Sequence, residues 1–206
     1  MRMLTGLVVL LLVPMLSSLV AAEKLNFEND IVPIFTKSGC ANSNCHGSIR
    51  GQAGFKLSLF GYEPQLDYQA IVKDLDGRRI DRKNPQLSLI LRKPTFAIPH
   101  GGGERFKVGS LEYDGILEWI QQGAEYDTSA PKLQKLRVSP EELLLTGLDS
   151  RGKITVAGDY MDGATVDLTL KVQYTPNDAS VVEVSPSGEV KPLRPGETAI
   201  MVRTVR

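Results

Sequence analysis

The sequence predicts two domains, a mostly-α unit followed by an all-β sandwich. Three observations predict this fold class. Apolar residues recur at spacings of three and four near both ends of residues 24–128. Across residues 133–206 they alternate with period two instead. Between the two lies Thr128-Ser129-Ala130-Pro131, a short polar stretch ending in proline that reads as a linker.

The elements follow in chain order. Arg2, the apolar run Leu4 to Val20 and the small residues Val20-Ala21-Ala22 read as a secretory signal peptide over residues 1–22. The expected location is periplasmic or cell-surface, with a mature chain starting near Glu23. No second apolar run of spanning length follows, so the cleaved chain is not expected to be an integral membrane protein.

Phe27, Ile31, Ile34 and Phe35 predict a helix, with Asn29 and Asp30 as cap candidates. Short helices are expected around Tyr68–Leu75 and Gln86–Leu91. Tyr113, Ile116, Leu117 and Ile120 predict a further helix, stopped by Gly123. In the second half, Val166, Leu168, Leu170 and Val172 predict a strand with one apolar face, and Ile154/Val156 and Val182/Val184 predict two more. Turns at Ser185–Gly188 and Pro195-Gly196 complete a sandwich pattern. No internal repeat is present.

The chain carries 24 basic and 24 acidic residues, a net charge of zero. That argues against nucleic-acid binding, which normally shows a basic excess. A hydrophobic content of 42% is that of a folded protein rather than a disordered one.

Two cysteines and two histidines in 206 residues make their placement informative. Cys40-Ala-Asn-Ser-Asn-Cys45-His46 is a C-x4-C-H cluster. It resembles the C-x2-C-H signature of covalent haem attachment, in which two thiols join the porphyrin vinyls and the adjacent histidine is forced beneath the iron. Two additional spacer residues can loop outward without separating the sulfurs. A local disulfide, a zinc site and a redox dithiol compete with this reading. A second axial ligand can be sought by elimination. Beyond the signal segment the methionines are Met161 and Met201, both in the β half, so the first half offers His100, within Pro99-His100-Gly101-Gly102-Gly103. Arg78, Arg79, Arg82, Lys93 and Arg105 are unranked candidates for holding haem propionates.

At these residues the first half resembles the cytochrome c-type domains found at the N-termini of large exported planctomycete proteins. The resemblance is carried by Phe27-x-x-Asp30-Ile31-x-Pro33-Ile34, Gly39-Cys40…Cys45-His46-Gly47, Ser88 to Pro94, Pro99 to Gly103 and Trp119 to Ala124. It spans about residues 26–126 and implies a cytochrome c-like haem domain over 24–128. This chain departs from the pattern in its four-residue spacer, and it has a histidine where many relatives have methionine. The implied cofactor is haem c, with Cys40 and Cys45 as thioether anchors, His46 as the proximal iron ligand and His100 as the distal one. Residues 133–206 resemble a bacterial Ig-like group 2 domain through Asn177–Val184, Gly188-Glu189-Val190 and Pro195–Ala199.

The expected function is electron transfer by an exported c-type haem protein whose partner is an unidentified redox protein. Further domains or surface components are possible associates. No nucleophile–base or two-carboxylate constellation points to an enzyme. The alternative is a non-catalytic surface module in which the Ig-like domain recognises carbohydrate or protein and Cys40–Cys45 is a disulfide. On the main reading, residues 24–128 bind haem alone and residues 133–206 fold without it.

Overall fold

A computed structural model describes residues 24–204. The expected signal segment, residues 1–22, lies outside the described residues. The first helical stretch is capped by Asn26 rather than by Asn29 or Asp30. The Asn26 side chain accepts the Asn29 N–H at 3.0 Å, and the Asp30 carboxylate accepts the Asn26 N–H at 2.8 Å. This reciprocal pair satisfies two donors that the helix start would otherwise leave free. A π turn over Phe27–Ile31 runs into α1 (Val32–Lys37) and buries Phe27, Ile31, Val32 and Phe35. Gly39, at φ +74°, then turns the chain back.

Short helices follow: α2 (Pro64–Tyr68), α3 (Leu89–Arg92) and α4 (Leu111–Gln121). Ser110 caps α4 by accepting the Tyr113 N–H. The inward face of α4 buries Tyr113, Ile116, Trp119 and Ile120, and Gly123 at φ +104° ends it. Phe27, Tyr68, Trp119 and Tyr126 pack ring against ring, with centroids 5.2–6.4 Å apart.

The expected mostly-α, cytochrome c-like first domain is not what forms. Four α-helices are described, of which the longest has 11 residues, and three small antiparallel sheets make the molecule mixed. Glycine and proline punctuate the first half too densely for long helices. The segments around residues 38–58 and 94–110 run almost wholly as turns.

All the described strands fall between Leu133 and Arg203. They are β1 (Leu133–Ser139), β2 (Gly152–Lys153), β3 (Thr155–Tyr160), β4 (Thr165–Asp167), β5 (Gln173–Pro176), β6 (Val182–Val184), β7 (Glu189–Pro192) and β8 (Ile200–Arg203). Their order is β1-β3-β4, β2-β7-β6 and β5-β8, three small sheets in place of the two-sheet Ig-like sandwich expected. They enclose Ile154, Val156, Leu168, Val172, Val181, Val182 and Val190.

The alternating run over 166–172 is not one strand. β4 stops at Asp167, whose carboxylate accepts the Thr169 N–H at 2.8 Å, and a turn follows in which the Val172 N–H reaches Leu168 O at 3.1 Å. Side-chain capture of the backbone by aspartate competes with the strand ladder. Leu168 and Val172 are therefore buried, while Leu170 is exposed.

Polar contacts join the halves. Lys171 pairs with Asp30 at 2.6 Å, Lys37 donates to Leu170 O at 2.8 Å, and Lys132 pairs with Glu28, which also accepts from the Tyr126 hydroxyl. No helix among the described residues is long and apolar enough to cross a membrane.

Candidate functional site

The C-x4-C-H segment is a compact loop built on the end of α1. The Cys40 N–H bonds Phe35 O at 2.9 Å, the His46 N–H bonds Cys40 O at 3.0 Å, and the Gly47 N–H bonds Asn42 O at 3.1 Å. Ser43 and Asn44 are exposed at the apex, so the spacer does loop outward. A Cβ on Gly47 would lie 2.0 Å from Ala41 O, so the loop closes only around a glycine immediately after His46. The Leu57 N–H bonds His46 O at 2.8 Å and ties the loop to the next segment.

The cysteines differ. Cys40 is buried and Cys45 half-buried, and they are not joined to one another. Burial pushes the Cys40 thiol up to about 11, against a smaller opposing effect of Arg105. The Arg105 guanidinium donates to Cys45 Sγ at 3.3 Å.

His46 and His100 are brought together. Their rings are parallel within 6°, with centres 6.3 Å apart. Each Nδ1 is engaged by a backbone carbonyl: His46 with Phe55 O at 2.9 Å, and His100 with Gly103 O at 2.9 Å. A carbonyl can only accept, so each Nδ1 carries a proton, and in the neutral tautomer this selects the lone pair lies on Nε2. The Phe55 ring also packs on His46, at 4.6 Å between centres. Burial lowers the His46 pKa, and His100, Arg79 and Lys93 add to that effect against the Phe55 hydrogen bond. The imidazole is thus held neutral, the form that binds metals.

Both cysteines and both histidines line one cavity of about 470 Å³. That lies within the usual range for cofactor pockets, about 300–1,000 Å³. Phe35, Phe55, Leu75, Leu89, Ile90 and Pro94 supply apolar walls. Of the five cations singled out in the sequence, Arg78, Arg79, Lys93 and Arg105 line the cavity. Arg82 does not; it donates to Gly123 O at 3.2 Å. Met161 is 72% exposed and Met201 40%, and neither lines the cavity.

Phe55 was not foreseen. The signal for it is local: Gly51 and Gly54, both at positive φ, fold a tight turn that leads Phe55 back onto His46, with paired bonds between Gln52 and Phe55 at 2.9 Å.

The fit of a haem can be tested on these groups. A metal–imidazole bond of about 2 Å on each side, plus the half-width of each ring, separates two axial imidazole centres by roughly 6 Å. The observed spacing meets this, both Nδ1 atoms are occupied elsewhere, and the cavity is apolar with cations. Among the described residues no group of three or more His, Cys, Asp or Glu side chains could hold a bare metal ion. A porphyrin asks for less, because it brings four nitrogen ligands and needs only axial ones from the protein. No family model matches the chain, and no curated protein matches it.

Proposed function

We propose that this chain is an exported electron-transfer protein carrying one covalently bound haem. His46 is the proximal ligand, His100 the distal ligand, and Cys40 and Cys45 form the thioethers. The observation that carries the reading is the parallel imidazole pair, each ring oriented by a carbonyl at Nδ1, set in the cavity that also holds both thiols. Such outer hydrogen bonds fix the tautomer and orientation of ligating histidines.

When bound, a haem would supply a one-electron couple. The chain's own residues do the rest. Phe55 holds His46 by ring and carbonyl, Gly103 O aims His100, and the His46 N–H to Cys40 O and Cys45 N–H to Asn42 O bonds keep both cysteines in the loop that carries His46 to the cavity. Phe35, Leu89 and Ile90 exclude water from the cavity wall. With both imidazoles as its ligands, a bound haem would have no open position for substrate, which favours electron transfer over catalysis. The reading rests on this local constellation and does not require a mostly-α domain.

Full-length protein produced with a c-type maturation system is expected to give a pyridine haemochrome spectrum of thioether-linked haem and a mass gain of one haem. Loss of two hydrogens without added haem would overturn the proposal and indicate a Cys40–Cys45 disulfide.

A further inference from the structure

The cavity wall is asymmetric in charge. Arg78, Arg79, Lys93 and Arg105 line it and no carboxylate does. Three of the four donate to polar atoms, Lys93 to Pro99 O at 3.3 Å and Arg105 to Cys45 Sγ at 3.3 Å among them. Arg79 is the exceptional one. It is 6% exposed, yet its partners are neutral: Ala70 O at 2.9 Å, Gly54 O at 3.1 Å and the face of Phe55, 4.6 Å from the guanidinium carbon. Among the described residues it forms no ion pair. Asp74 acts on it electrostatically without a direct ion pair, while the Arg78 charge beside it opposes. Burying a charge without a directly paired counter-charge is costly, and two carbonyls satisfy only part of a guanidinium's five donors.

The chain is also bent to deliver it. Leu75, Asp76 and Gly77, at φ +54°, +57° and +70°, are three consecutive left-handed residues directly before Arg78 and Arg79. L side chains disfavour that conformation, and it persists where surrounding structure imposes it, often at binding sites. Here it brings Leu75, Arg78 and Arg79 onto the same cavity.

We infer that Arg79, with the exposed Arg78 beside it, is the subsite for the acidic edge of the cavity's ligand, pairing its buried guanidinium with a carboxylate of the macrocycle. The inference rests on the haem reading and goes beyond it by choosing one anchor among five candidate cations. The bidentate fork of arginine suits a carboxylate, and burial strengthens the pair.

The test uses the full mature chain made without a maturation system, titrated with ferric protoporphyrin and, separately, with its dimethyl ester. Both probes keep the iron and the vinyls, and only the ester lacks the charges. The wild type is expected to bind the diacid about tenfold or more tightly than the ester, the scale of a hydrogen bond to a charged group. Arg79→Gln should bring that preference down to about twofold while leaving ester binding nearly unchanged. Arg79→Lys, which keeps the cation but not the fork, should fall between. Equal binding of the two probes by the wild type, or an undiminished preference in a folded Arg79→Gln protein, overturns the inference and leaves the haem reading intact. Failure of the wild type to bind either probe overturns the haem reading itself. If Arg79→Gln does not fold, Arg79→Lys decides: a preference equal to the wild type's overturns the inference and an intermediate one supports it.

Discussion

An alanine at position 102 would set its Cβ 3.0 Å from His100 Cε1 and 3.3 Å from Nε2, whereas one at position 101 would meet nothing within 4 Å. Adjacent glycines in the same loop therefore have different duties. Gly102→Ala should push the His100 ring off its rotamer and cost about 1 kcal/mol in urea unfolding of the ligand-free chain. Gly101→Ala should stay within about 0.5 kcal/mol of wild type. In haem-loaded protein, the position-102 variant should also bind cyanide more readily than the position-101 variant.

Asp67 gives a pH signature at the same scale. Burial raises its carboxyl above the usual aspartate value and Glu63 adds to this, while the Ser58 backbone N–H and hydroxyl pull the other way. Its folded-state pKa therefore exceeds the unfolded one, and the unfolded chain loses this proton first as pH rises. The associated stability is complete below about 3.9, the ordinary aspartate value, and is lost as pH climbs through the raised one. Asp67→Asn should flatten the stability-versus-pH curve over that window, as denaturant midpoints measured at successive pH values will show.

Helix α4 shows how element-scale logic survives irregular surroundings. Its apolar spacing and its Gly123 stop are readable in the sequence, the Ser110 cap comes from the structure, and Ser110→Ala should cost about 1 kcal/mol of stability by thermal or urea unfolding. Elsewhere legibility falls off for identifiable reasons. The period of Val166 to Val172 suggested a strand, but one Asp167–Thr169 bond ends it, and hydropathy alone carries no sign of that bond. The π turn before α1, whose Phe27 packs on Tyr68, Trp119 and Tyr126, likewise depends on distant segments. The site reads better than the fold. Cys40, Cys45, His46 and His100 share one cavity because a glycine-closed loop and a glycine-rich loop each need little secondary structure to hold their shape. Phe55 and the special position of Arg79 were invisible in sequence, since both depend on which ring lies beneath which side chain.

At the scale of the whole molecule, two separate apolar clusters, one ending at Ala124 and the other beginning at Ile154, are bridged by the lysine contacts and by the Arg203 guanidinium over the Phe60 ring, 4.9 Å from its centre. Lys171–Asp30 is substantially open to solvent on the lysine side, whereas Glu28 beneath Lys132 is largely covered. Exposed charge pairs contribute little in water and fade as ions accumulate around them. The Debye length shrinks from about 10 Å at 0.1 M salt to about 3 Å at 1 M. Ionic strength thereby becomes a mechanical control. In dilute buffer the halves should tumble as one body, and in concentrated salt as two tethered ones. Small-angle scattering should record a larger radius of gyration at 1 M than at 0.1 M sodium chloride, and Lys171→Ala should display in dilute buffer part of the expansion that the wild type reaches only in brine.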